Sequence, residues 1–475
     1  MIYVNSSHLL LDRVMKTPGD ILLMSRRAPM HGIGLAIRKC LKHDLSLQNE
    51  IEAKGFVQSL LDVFGESLDF MLDLLAGSAG ESNNASFADM GVAVEDMIRD
   101  AQRDEMASDD DTIGISDAHS LVLSMLWLNI KECALVACEV ATSLRPEFIS
   151  SQDFETCAGM MRKILVKCRH RGAWEATGWA LFNFSQWCFK HAPSDPKSKV
   201  TSVLLWETLK ELESASTGMT SSSVTRRAAG LPMIVQQIAA SEPRGAGGRG
   251  RSVLGGAMQS LIKIAGDGDN RGNPSNAETE DTPACLSMHI LRSLVQDSAL
   301  SYDIVPYLAG AFRVCVTNFS STSWAIRNAA LQLFGGLVPR MIGQKKVRDD
   351  TTLASTLMTV EEFFVRYADL KEFLLCQLTP AQENNETPHL LVSPSTVPLL
   401  TMMSNLTPGT TPTVQTSQQE GQETAFSFKS AFRLLFYSPV IKVRLLAVKA
   451  YLAFTHTAEV EAGMLLVFEK VQVEV

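Results

Sequence analysis

Enzyme signatures are scarce in this 475-residue chain. It has no H-E-x-x-H pair, no G-x-S-x-G elbow and no glycine-rich turn running from a strand into a helix. These omissions remove the usual zinc-hydrolase, serine-hydrolase, dinucleotide and S-adenosylmethionine sites, and no catalytic residue or cofactor is assigned. The nine cysteines stand singly between Cys40 and Cys376, with no C-x-x-C pair and an odd total. A disulfide framework and a treble-clef zinc site are thereby excluded, and the thiols read as reduced ones in a cytoplasmic protein. The N-terminus has no basic segment, and no run of about 18 apolar residues free of charge and proline stands out, so neither secretion nor a membrane span is expected. Alternating β patterns are also nearly missing, apart from Val471, Val473 and Val475 at the extreme end.

What is present is the composition of a folded protein, 46% hydrophobic and 20% charged. The net charge of −9 argues against a nucleic-acid partner only until it is located. Between Glu81 and Asp111 there are ten acidic and two basic residues, which leaves the remainder near neutral. That segment reads as a solvated loop. Elsewhere stand three basic clusters: Arg26, Arg27, Arg38, Lys39 and Lys42; Arg162, Lys163, Lys167, Arg169 and Arg171; Arg340, Lys345, Lys346 and Arg348. They leave RNA binding open without demonstrating it.

Apolar residues recur with helical period almost throughout, so the fold class is all-α. Residues 120–140 are apolar nearly all round, as in a helix buried between layers. Val360, Phe363, Phe364, Tyr367, Leu370 and Leu374 mark one amphipathic helix. The expected organisation is helical repeats at 1–78, an acidic disordered loop at 79–113, repeats at 114–240, a flexible Gly-rich loop at 241–282, and repeats at 283–378. A Pro/Thr-rich disordered linker at 379–427, HEAT-like helices at 428–463 and a tail at 464–475 follow. Arg327 precedes Ala330, and Arg444 precedes Ala447, by three residues in helices that begin after Ser or Pro. This spacing matches the second helix of a HEAT-type repeat, a HEAT/armadillo-like α-solenoid being the architecture expected.

Two motifs look more informative than they are. Gly245 to Ser252 fits G-x-x-x-x-G-[K/R]-S, but arginine replaces the phosphate-binding lysine and the preceding residues look helical rather than strand-like. Asp267, Asp269, Gly272 and Glu278 match a calcium-loop spacing, yet Arg271 falls on a ligand position, so a plain polar loop is the reading.

A family resemblance enters at Thr225 to Pro232 (TRRAAGLP), which resembles the R-R-S-A-G-L-P motif of the thyroid adenoma-associated protein (THADA) family. Further matches follow in the same order. Leu121 to Cys138 resembles the family's buried leucine- and tryptophan-containing helix, Lys167 to Glu175 its S-R-H-R-G-A-F-E, and Ser287 to Asp297 its N-I-L-R-A-L-F-R-D. Trp324 to Ala330 resembles its W-A-V-R-N-S-S and Val360 to Leu378 its E-F-F segment; the set covers 121–378, with a weaker echo at 439–454. Ala228 departs from the family serine, so a hydroxyl contact there is absent. Family members are several times longer, so the chain reads as a fragment or a shortened gene model.

The resemblance implies an α-solenoid without catalytic residues or a cofactor of its own. Its partner would be an FtsJ-like methyltransferase, and the pair would methylate the ribose 2′-hydroxyl of anticodon-loop nucleotide 32 in tRNA. The implied contacts to that enzyme or to the tRNA anticodon stem-loop, direct or through the partner, are Arg226, Arg227, Ala229, Gly230, Leu231 and Pro232, with Arg169, His170, Arg171, Arg327 and Asn328. Arg226 and Arg227 are expected at the start of a short helix that Gly230 and Pro232 interrupt. In helical repeats such arginines also bond backbone carbonyls, and that alternative stands beside the functional one. A HEAT-type scaffold or transport adaptor that binds protein alone is the competing function.

Overall fold

A computed structural model describes residues 25, 30–42, 50–76, 92, 94–96, 115–168, 170–191, 194–214, 230–245, 250–267, 282–343, 358–379, 393–408 and 418–455. Among the described residues the regular structure is helical, with one isolated bridge between Thr359 and Thr407. The all-α helical-repeat expectation holds. The chain divides into two compact units, Met1–Ser260 with Thr279–Leu286, and Leu261–Glu278 with Ser287–Val475.

In the first unit α1 (His31–Lys42), α2 (Glu50–Ala76), α4 (Ser151–Lys167) and α5 (Arg171–Lys190) surround α3 (Ile115–Ser143). Val122, Ile130, Val136 and Val140 of α3 are fully buried, each worth roughly 1.5–3 kcal/mol of transfer free energy. Asp117–Ser143 is long and apolar enough to cross a membrane by length and composition, but 67% of its most apolar stretch is buried inside the protein, as expected for a helix between layers. Two carboxylates on α3 are ion-paired to α1: Glu132 to Arg38 at 3.0 Å and Glu139 to Lys42 at 3.2 Å. The first basic cluster is thus partly spent on the core helix.

Ser150 and Asp153 begin α4 with a reciprocal capping box, at 3.1 Å for the Asp153 amide and 2.8 Å for the Ser150 amide. Beyond α5 come α6 (Val200–Ser214) and α7 (Gly230–Ser241), α7 packing on both α4 and α5.

The segment expected as a flexible loop at 241–282 contains a helix, α8 (Ser252–Gly266), with Leu254, Ala257, Met258 and Leu261 buried. Apolar residues at i, i+3, i+4 and i+7 drive it, while Gly255 and Gly256 disguise it in the sequence. A side chain at 256 would stand 2.6 Å from the Trp206 ring, so that glycine serves packing, not looseness. The stretch 268–281, with the calcium-like spacing beyond Asp267, lies outside the described residues.

The second unit takes most of α9 (Pro283–Gln296), then α10 (Leu308–Thr317), α11 (Trp324–Ile342), α12 (Val360–Arg366), α13 (Lys371–Leu378), α14 (Thr396–Met403), α15 (Gln418–Leu435) and α16 (Ile441–Ala453). The single helix expected over 360–378 is broken: Tyr367 leaves helical geometry at φ −127°, ψ 52°, and a 3₁₀ turn over Ala368–Leu370 restarts it. The 379–427 segment expected as a linker also contains structure. Leu399, Leu400, Met402 and Met403 of α14 are buried, α14 packs on α13 and α16, and α15 begins at Gln418. Pro398 is tolerated because it falls in the first helical turn, where its missing N–H costs nothing. Phe364, Phe428, Phe432 and Phe454 form an aromatic cluster between these helices.

Candidate contact sites

Two motifs 60 residues apart converge at the C-terminal end of α4. Cys168 caps that helix, its amide donating to the Ile164 carbonyl, and His170 then starts α5 by accepting from the Ala173 and Trp174 amides. The Trp174 indole N–H returns to the Cys168 carbonyl at 2.9 Å, locking the corner. His170 stacks on Trp127 of α3 with ring centroids 4.8 Å apart and planes inclined by 14°. Burial holds the His170 imidazole below its ordinary pKa, so the neutral ring is favoured. Gly172 leaves room for this pair, since a methyl there would meet His170 at 3.3 Å and Trp127 at 3.4 Å.

Gly230 arrives at the same end of α4. A side chain on it would lie 1.7 Å from the Leu165 carbonyl oxygen, so only glycine permits the approach. Gly230 and Pro232 stand in the first turn of α7, where Leu231 and Pro232 are half-buried; the helix start expected at Thr225 lies outside the described residues. Arg169, Arg226, Arg227 and Ala229 lie outside the described residues.

The basic residues around this corner are largely self-paired. Arg162 bonds Glu211, Lys163 meets Asp69 at 2.5 Å, and exposed Arg171 meets Glu175 at 2.7 Å one turn along α5. Such surface pairs contribute little stability, but they lower the field that the uncompensated cluster would produce.

The phosphate-loop-like stretch is also occupied from within. The Glu242 carboxylate accepts from the Val253 amide at 3.0 Å and the Leu254 amide at 3.1 Å, filling the N-terminus of α8 where a phosphate would sit. Arg251 reaches back to the Ala239 and Ala240 carbonyls at 3.0 and 2.9 Å, capping the end of α7. The acid and the base thus terminate each other's helices.

In the second unit Arg327 is a tie. Its guanidinium donates to the Ser321 and Thr322 carbonyls at 2.7 and 2.8 Å, binding the loop ahead of α11 to its own helix. Arg444 repeats the arrangement 117 residues later, donating to the Ser438 carbonyl at 2.9 Å. In both corners the serine hydroxyl accepts from the amide two residues on, Ser323 at 3.2 Å and Val440 at 3.3 Å, and the alanine three past the arginine is fully buried. Asn328 is half-buried beside Arg327. Trp324, which the sequence places in a family motif but not among the expected contact residues, stands 56% exposed at the same corner; an indole at the first position of an otherwise packed helix was the available signal.

Thiol chemistry finds no support at the buried positions. Burial pushes the Cys138 thiol up to about 12 and Cys188 up to about 11, and raises Cys133, Cys157 and Cys315 as well. Among the described residues no group of three or more His, Cys, Asp or Glu could hold a metal.

Helix pairs, tied corners and glycine-mediated helix contacts define a helical-repeat protein of the α-solenoid class. The family model described as THADA/TRM732, DUF2428 matches residues 55–325, and one described as Trm732, C-terminal TPR repeats, matches 327–474. The chain belongs to the THADA/TRM732 family. It is 28% identical over 354 residues to the "tRNA (32-2'-O)-methyltransferase regulator THADA" of Canis lupus familiaris, a match covering 72% of this chain and 17% of that protein. The protein of the same name from Homo sapiens is 29% identical over 267 residues, covering 54% of this chain and 13% of its own. The "tRNA (32-2'-O)-methyltransferase regulator trm732" of Schizosaccharomyces pombe is 26% identical over 343 residues, 69% of this chain and 21% of its own. The chain thus spans about a fifth or less of these relatives.

Proposed function

We propose that this chain is part of a non-catalytic regulator of a tRNA 2′-O-methyltransferase in the cytoplasm. It directs an FtsJ-like enzyme to the ribose of nucleotide 32, and contributes contact surface while the partner contributes the cofactor and the chemistry. The observation that carries this reading is the pair of family matches spanning 55–325 and 327–474, with relatives named for one activity. The meeting of the 167–175 segment with Gly230 at one end of α4 supports a single contact site, and Arg226 and Arg227 belong in sequence to the same motif as Gly230.

The self-paired basic residues Arg38, Lys42, Arg162 and Lys163 favour a second reading, a scaffold that touches only proteins. One experiment separates the two. In cells lacking the endogenous regulator, the full-length protein carrying Arg226→Ala and Arg227→Ala should fail to restore 2′-O-methylation of nucleotide 32, read by mass spectrometry of tRNA, while its melting temperature stays near that of the unaltered protein. The tagged unaltered protein should bring down both a methyltransferase and tRNA. Recovery of proteins without either, together with full methylation by the double variant, would select the scaffold.

A further inference from the structure

The first turns of α11 carry a surface that its tying arginine does not explain. Phe319, Trp324, Arg327, Asn328, Leu331 and Pro394 line an open depression of about 220 Å³. Trp324, Asn328 and Leu331 follow one another at i, i+4 and i+7, so they share a helix face. Trp324 is 56% and Leu331 50% exposed, a large apolar area left to water on a helix whose other face is packed. Between them the half-buried Asn328 amide makes no hydrogen bond to any described residue. Among the described residues no carboxylate lines the depression, and from Ile304 to Arg348 the sequence has six Lys and Arg and not one Asp or Glu.

We propose that this depression is a stacking platform for an unpaired nucleobase of single-stranded RNA. Trp324 supplies the stacking face, Leu331 and Pro394 the apolar rim, and Asn328 both a donor and an acceptor for the base edge. Arg327, fixed by the Ser321 and Thr322 carbonyls, holds a positive charge at the rim without being free to collapse over the indole. Charge favours RNA over an apolar protein segment: the one charged residue among those described to line the depression is the cationic Arg327, which suits a polyanion, and a solvent-facing amide between apolar groups suits a flat ring with polar edges. The start of α11 adds the positive end of a 19-residue helix dipole. This inference rests on the tRNA reading for its natural ligand, an unpaired base of the anticodon loop, but the chemistry applies to any single-stranded RNA.

The test uses the full chain and two fluorescein-labelled RNAs, an anticodon stem-loop and a fully paired duplex of equal length, read by anisotropy. Trp324→Ala should weaken stem-loop binding by roughly 5- to 150-fold, the range of one base–aromatic stack, and Trp324→Phe should retain most of the affinity. Duplex binding, the salt slope of stem-loop binding and the melting temperature should stay unchanged, because an exposed indole carries neither charge nor core packing. Unchanged stem-loop affinity in Trp324→Ala overturns the inference, as does an equal loss for both RNAs or no RNA binding by the unaltered chain. Retained RNA affinity with lost copurification of the methyltransferase overturns it in favour of a protein-docking face. The two proposals fail separately: if the unaltered chain brings down no methyltransferase yet Trp324→Ala loses the stem-loop, the platform stands and the functional reading falls. Copurified methyltransferase with indifferent Trp324→Ala gives the reverse.

Discussion

The end of α4 in the first unit and the start of α11 in the second use family motifs in opposite ways. At α4 three of the described motif residues are engaged within the fold: Gly230 presses on the Leu165 carbonyl, His170 stacks on Trp127, and Arg171 pairs with Glu175. At α11 one residue, Arg327, does the tying, while Trp324, Asn328 and Leu331 are left over. The second copy of that corner sharpens the contrast. Arg444 ties it in the same way, but Ile441 and Leu445 stand where the first copy has Trp324 and Asn328. The repeated arginine is therefore architecture, and the residues three places before and one place after the arginine are where the two corners can differ in ligand.

The largest expected effect breaks the first half of this contrast. Gly230→Ala should destabilise the first unit by about 3 kcal/mol or more in denaturant unfolding, because the backbone of α7 must move off α4. Gly159→Ala, on an exposed position of α4 with nothing near its new methyl, should instead stabilise by roughly 0.5–1 kcal/mol. A gain at position 230 like that at 159 would mean that helix propensity governs there and that the approach to Leu165 does not constrain the residue. Next in size come the tying arginines. Arg327→Ala should cost about 2 kcal/mol and Arg444→Ala about 1 kcal/mol, since the first releases two carbonyls and the second one, both partly solvated. A reversed order in urea melts would break the equivalence of the two corners.

The smallest effect concerns pH. Burial lowers the pKa of His170 in the first unit, and burial with the Arg292 charge lowers that of His289 in the second. The folded state therefore resists binding a proton that the unfolded chain accepts near 6.5, so stability is full above that value and declines as pH falls through the depressed folded pKa. Melting temperatures taken between about pH 7.5 and 5.5 should fall, and His170→Gln and His289→Gln should each flatten the profile. A profile unmoved by either substitution would assign the acid sensitivity elsewhere.

Helical period made the class of fold legible, because burial on one face imposes it wherever charges are interspersed. The period failed at α8 and α14, where helix breakers mask it. Gly255 and Gly256 are read locally as flexibility, whereas one of them is required by a distant ring, Trp206. Pro394 and Pro398 suggest a linker, whereas the buried set Leu399, Leu400, Met402 and Met403 shows a helix beginning beneath them. Of the candidate contact residues, the convergence of Gly230 with His170 was not legible, since it depends on a helix contact between segments 60 residues apart. The arginine-to-alanine spacing was legible as a repeat signature, but the partner of each arginine, a carbonyl six residues upstream, is a matter of loop geometry that spacing alone does not give.

The mutual capping of α7 and α8 by Glu242 and Arg251 has a consequence for how the molecule tolerates change. Each helix end is closed by a residue at the mouth of the connection, so the backbone groups that usually force a connection to keep its length and composition are already satisfied. Residues 243–250 are thereby relieved of helix-ending duty, and lengthening them costs little beyond ring-closure entropy, about 0.6 kcal/mol for each doubling. The latch turns this bend into a natural insertion point, a place where a reporter or an added module can be spliced while the stacked helices on either side keep their register.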